Sequence, residues 1–118
     1  MRAFALILAL GLPAAAPASA DDFRVITDQS EFVGLIANRD LTRFGITLEV
    51  SPDGEIGGSA FGRDVSGAWD WRGNFFCRDL FFGQQNLGPN CQTVMVDGDT
   101  VRFVADQGQG DHADFRLR

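Results

Sequence analysis

The chain has 118 residues, with 16 Asp and Glu against 10 basic residues, all of them Arg, and a formal net charge of −6. This length holds one small domain and excludes most cofactor-binding α/β enzymes, whose domains need more chain. The acidic balance speaks against nucleic acid or anionic lipid as partner, because phosphates would be repelled.

Arg2, an apolar run from Ala3 to Leu12 and the small-residue sequence Ala18-Ser19-Ala20 read as a signal peptide over 1–20. The run is about half of a membrane span, and no later segment is apolar enough to span, so the mature chain has no membrane span. The expected product is a single domain over 21–118, periplasmic or secreted. Its two cysteines, Cys77 and Cys91, then meet an oxidising compartment and are expected to form one disulfide. A redox pair would favour C-x-x-C spacing, and a zinc site needs about four ligands where this chain offers one His and two Cys.

Asp28-Gln29-Ser30-Glu31 followed by Phe32, Val33, Leu35 and Ile36 predicts a helix of about ten residues. Asp28 is placed to cap it, Glu31 stands at capping-box spacing, and Asn38 is the stop. From there the period becomes two. Ile46, Leu48 and Val50 alternate with polar residues, Pro52-Asp53-Gly54 turns the chain, and Ile56–Phe61 returns. Trp69 and Trp71 share one face of the next strand, Gly73-Asn74 turns, and Phe75–Phe82 comes next. Gly83–Asn90 reads as irregular. Cys91–Val96 and Thr100–Ala105 flank the hairpin signal Asp97-Gly98-Asp99, and Ala113, Phe115 and Leu117 alternate at the end. These segments predict a mainly β fold: a small antiparallel meander, barrel or sandwich, of about seven strands with one short N-terminal helix. Gly57, Gly58, Gly62 and Gly67 crowd one stretch, with Trp69 and Trp71 the expected bulky neighbours over them.

Phe75–Phe82 is the oddest stretch. Both faces are largely apolar, yet Arg78 and Asp79 stand in its middle on opposite faces. Whichever points inward needs a partner on another strand, with Asp70 and Arg102 as candidates. Arg78 is either an anion anchor inside a pocket or one half of an internal ion pair. Trp69 and Trp71 either stack on a ligand or form the core. The candidate ligand-binding residues are Arg78, Asp79, Trp69, Trp71 and Gln92. Asp106-x-Gly-x-Gly-Asp111-His112-x-Asp114 has carboxylates for calcium but lacks them at the third and fifth positions, as an exposed hairpin loop would. With one His, no Ser–His–Asp arrangement is legible, and no catalytic residue, cofactor or metal is implied by the sequence.

Gly45-Ile46-Thr47-Leu48, Gly58-x-Ala60-Phe61-Gly62, Gly67-x-Trp69-x-Trp71, Phe76-Cys77-Arg78-Asp79, Gly88-x-Asn90-Cys91-Gln92, Val101-Arg102-Phe103 and Phe115-x-Leu117-Arg118 resemble a family of small exported alphaproteobacterial proteins across nearly all of the mature chain. The resemblance implies export and no defined activity. Members often carry the label dihydrodipicolinate reductase. A nucleotide-binding reductase needs a G-x-G-x-x-G turn between strand and helix, and Gly54, Gly57, Gly58 and Gly62 lack that spacing. The residues favour a non-enzymatic β-domain that binds a small ligand or an envelope protein. Its rivals are a small envelope enzyme using carboxylates near Trp69 and Trp71, and a protease-inhibitor-like domain.

Overall fold

A computed structural model describes residues 22–118, so the signal peptide expected over 1–20 lies outside the described residues. Nine strands form one antiparallel sheet: β1 (Arg24–Ile26), β2 (Asp40–Arg43), β3 (Ile46–Val50), β4 (Glu55–Ala60), β5 (Arg63–Arg72), β6 (Phe75–Phe82), β7 (Gln85–Asp97), β8 (Thr100–Val104) and β9 (His112–Leu117). Strands β2 to β9 run one after another as an up-and-down meander. It closes where Leu41 of β2 pairs with Leu117 of β9, so the fold is a barrel and not a sandwich. One helix, α1 (Gln29–Ile36), lies between β1 and β2.

The strand count exceeds the expected seven for a physical reason. β1 and β2 have three and four residues, too few for a period of two to show. Gly83–Asn90, expected to be irregular, is mostly strand: Gln85 to Gln92 run along β6, with the register shifted at Leu87, which has no partner on β6, leaving a tight turn at Gly83 and Gln84. Cys91 therefore lies inside β7, directly opposite Cys77, and the two form the disulfide. Beyond the end of β6, β1 continues along the same edge of β7 (Val25 opposite Met95), while β8 pairs with the other edge.

The helix has eight residues where ten were expected. Asp28 caps it as predicted, its carboxylate accepting from the Ser30 amide at 3.3 Å and the Ser30 hydroxyl at 2.9 Å. Glu31 does not complete a capping box; it pairs with Arg24 of β1. Asn38 takes a positive φ just past the helix end, the left-handed stop that Asn tolerates.

Leu41, Val65, Trp69, Phe76, Val94, Val101, Phe103, Phe115 and Leu117 point inward and are buried, and polar residues such as Glu49, Asp64, Asp70 and Arg72 face out. Phe32 of α1 is fully buried among four rings: Trp69, Trp71, Phe76 and Phe103, with centroids at 5.2, 5.3, 5.1 and 6.4 Å. The indole N–H of Trp69 donates to the Ser51 carbonyl at 2.9 Å, which ties the β3–β4 turn to this cluster. Helix and indoles together fill the part of the barrel next to the β5–β6 turn.

Two of the crowded glycines have a role, though not the expected one. A Cβ on Gly58 would collide with the Thr47 carbonyl, and one on Gly67 with the Asp79 carbonyl. The close neighbours are the backbones of β3 and β6, not the indoles. No helix among the described residues is long and apolar enough to cross a membrane.

Candidate functional site

The barrel is not filled to its other end. A cavity of about 310 Å³ opens there, walled by Leu41, Leu48, Val50, Ile56, Phe76, Leu80, Phe103, Ala113 and Phe115. Arg78 and Gln92 add polarity inside, and Ala105, Asp111 and His112 bring the β8–β9 turn to its mouth. This is the size and character of a small-molecule site: mostly apolar walls with a few polar groups.

The pleat places these groups. Arg78 shares a face with Phe76 and Leu80, and all three line the cavity. Gln92 stands directly across from Phe76 on β7. Neither of the partners expected for the Arg78–Asp79 pair, Asp70 for the arginine or Arg102 for the aspartate, is used. Asp70 faces outward and pairs with Arg72 at 3.2 Å. Arg102 binds Asp114 through two hydrogen bonds of 2.8 and 3.0 Å, with its guanidinium also over the Phe23 ring at 4.0 Å. That bidentate grip holds the Asp114 carboxyl below the usual carboxylate range and raises Arg102.

Arg78 instead donates Nη1–H to the Gly88 carbonyl at 2.8 Å and has no ion-pair partner among the described residues. Burial pushes its pKa down, and the Asp79 charge on the opposite face partly offsets this. A half-buried cation satisfied by one carbonyl leaves no orphaned acid behind when removed. Arg78→Met should therefore shift stability by less than about 1.5 kcal/mol, against the 3–5 expected for breaking a buried pair. Urea unfolding of the variant checks this, and a loss in the larger range would make Arg78 a structural residue.

The other sequence-derived candidates lie elsewhere. Asp79 points outward into a second groove, of about 350 Å³ and more polar, beside the disulfide, with Asp70, Arg72 and Pro89; Trp69 and Arg78 also contribute to its lining. Trp69 belongs to the buried core, and Trp71 packs against Phe32, its indole N–H buried with no hydrogen-bond partner among the described residues. Only Arg78 and Gln92 of the five meet in the cavity. No group of three or more His, Cys, Asp or Glu among the described residues is close enough to hold a metal. Gly54, Gly57, Gly58 and Gly62 lie in the β3–β4 and β4–β5 hairpins, not in a strand-to-helix turn.

Sequence reasoning missed the clamp at the mouth. Asn90 accepts from the Asp106 amide (3.0 Å) and from Gln92 Nε2 (3.2 Å), and donates Nδ2–H to Asp106 Oδ1 (2.7 Å). Asp106 and Gln107 are both left-handed, with φ of 56° and 58°. Two successive non-glycine residues in that region are strained by about 1–2 kcal/mol each. The Asn90 clamp and the 2.8 Å bond from Gly110 N to the Ala105 carbonyl hold the turn in place. The available signal was Asn90-x-Gln92, two amides on a strand face that otherwise points to an apolar interior.

At hairpin tips on the side of the β8–β9 turn, Phe44 is 92% exposed and Phe61 is 63% exposed. Comparison with protein-family models, with curated proteins and with solved structures gives no match for this chain.

Proposed function

We propose that the protein is a non-enzymatic binding module, exported to the periplasm or secreted, whose barrel holds a small ligand. The observation that carries this reading is the open apolar cavity with Arg78 inside and no acid among the described residues paired to it. Export is supported by Arg2, the Ala3–Leu12 run and Ala18-Ser19-Ala20, and by a disulfide of the kind that persists in oxidising compartments. The resemblance to small exported proteins fits the same reading.

The test is to express the full chain, purify it from periplasmic extract, and apply terminal sequencing and native mass spectrometry. The chain should begin at Asp21 or within a residue or two, and should carry a bound small molecule that denaturation releases. A chain beginning at Met1 overturns export. A protein that retains nothing and takes up nothing from the extract overturns the ligand reading.

One observation favours a second reading, docking to an envelope protein: the exposed rings of Phe44 and Phe61 near the barrel end that bears the mouth. In that case pull-down of a partner should be lost with Phe44→Ser, while small-molecule retention is unchanged.

A further inference from the structure

We infer that the ligand is a medium-chain monocarboxylate, its carboxylate held by the Arg78 guanidinium near the mouth and its apolar tail lying among Leu48, Val50, Ile56 and Phe103. This rests on the ligand-binding reading and narrows it to a chemical class.

The donors define the head group. A guanidinium carries five N–H donors in a planar fork that matches a carboxylate in bidentate fashion. Arg78 directs one of them at Gly88, and no acid among the described residues pairs with the rest. The acceptor fixes the direction of the side chain: Gly88 stands opposite Leu80, so Arg78 reaches along the strands toward the β6–β7 turn and away from the Phe32 cluster. The head group therefore sits mouthward, and the tail, running inward from it, meets carbon. Partial burial of the guanidinium disfavours its charge, which an incoming carboxylate relieves.

The number of charges in the lining limits the charge of the ligand. Among the described residues Arg78 is the one arginine in the cavity lining, with the His112 imidazole and the Asp111 carboxylate at the mouth, and the chain as a whole is acidic. A monoanion is neutralised there, whereas a phosphate monoester would bring a second negative charge toward Asp111. The volume limits the tail. About 310 Å³ is roughly ten waters' worth of space. An octanoate fills it, and a hexadecanoate exceeds it.

Isothermal titration of the purified protein with octanoate, octanol, octyl phosphate and hexadecanoate tests this. Octanoate should bind one to one, at least about tenfold tighter than octanol, the worth of a charge-assisted hydrogen bond. It should also exceed octyl phosphate and hexadecanoate. Arg78→Met should lose the tenfold preference and keep octanol binding, and Arg78→Lys should fall between, having charge without the fork. Equal binding of octanol or octyl phosphate in the wild type overturns the carboxylate assignment but leaves a ligand-binding barrel, and this comparison stands even if a variant fails to fold. Octanoate binding undiminished in a folded Arg78→Met overturns the anchor. If no probe binds, the class is wrong; the broader reading then falls only if native mass spectrometry also finds the cavity without a retained molecule.

Discussion

Phe32→Ala should destabilise the protein by about 3–5 kcal/mol, the range for truncating a fully buried phenylalanine. Phe32 has no exposed surface and touches rings from three different strands, through Trp69 and Trp71 on β5, Phe76 on β6 and Phe103 on β8. Its removal leaves a hole that none of them can close, because each is fixed in its own ladder. The helix also loses its main anchor, with Ile36 as its other buried residue. A domain of this size has a total stability of about 5–15 kcal/mol, so the variant should unfold at far lower urea with a similar m value. A loss below about 1 kcal/mol would mean that α1 is an appendage and that the barrel is stable without it.

The second large effect is the disulfide. Replacing both Cys77 and Cys91 with Ser should cost about 2–5 kcal/mol. The bond closes a loop with a sequence separation of 14, for which chain entropy alone gives about 3 kcal/mol. Its position adds a local consequence. From Gln85 to Gln92, β7 is paired with β6 on one edge, while β8 begins its pairing only at Thr93. Over this stretch β7 is an edge strand, held by the sheet on the β6 side alone, and the disulfide and the Asn90 clamp add the remaining ties that keep it seated. It carries Gly88, the acceptor of Arg78, and Gln92 of the cavity wall. In the double variant, amide exchange should therefore accelerate more over Gln85–Gln92 than over Val94–Val96, where β1 and β8 flank the strand on both edges. Equal acceleration throughout would show that the bond stabilises the barrel only globally.

The backbone of the site was harder to read than its side chains. Arg78 stood out because a charge in an aromatic strand must be satisfied somewhere. Both faces of β6 are apolar, so the alternation could not say whether Arg78 or Asp79 turns inward. The pairing of β6 between β5 and β7 decides it, placing Arg78 opposite Trp69 inside and Asp79 opposite Ala68 outside. Its partner was equally hidden: a carbonyl has no sequence signature, and the acid expected in its place, Asp70, is turned outward by the same pleat.

What the sequence determined by itself is what local chemistry governs. Alternating Ile46, Leu48 and Val50 make a strand, Pro52-Asp53-Gly54 and Asp97-Gly98-Asp99 turn, and Asp28 caps the helix; each signal lies within a few residues. The disulfide was legible too, since two cysteines allow one pairing. Closure of the barrel, the seating of Phe32 inside it, the cavity beyond and the strained Asp106–Gln107 turn belong to the tertiary structure alone. Closure joins Leu41 to Leu117 through a strand of four residues, too short to declare itself. The turn is held in an unfavourable conformation by Asn90, sixteen positions earlier in the chain. Distant contacts of this kind arise only when every strand has found its register, and the space left inside is set by all of them together.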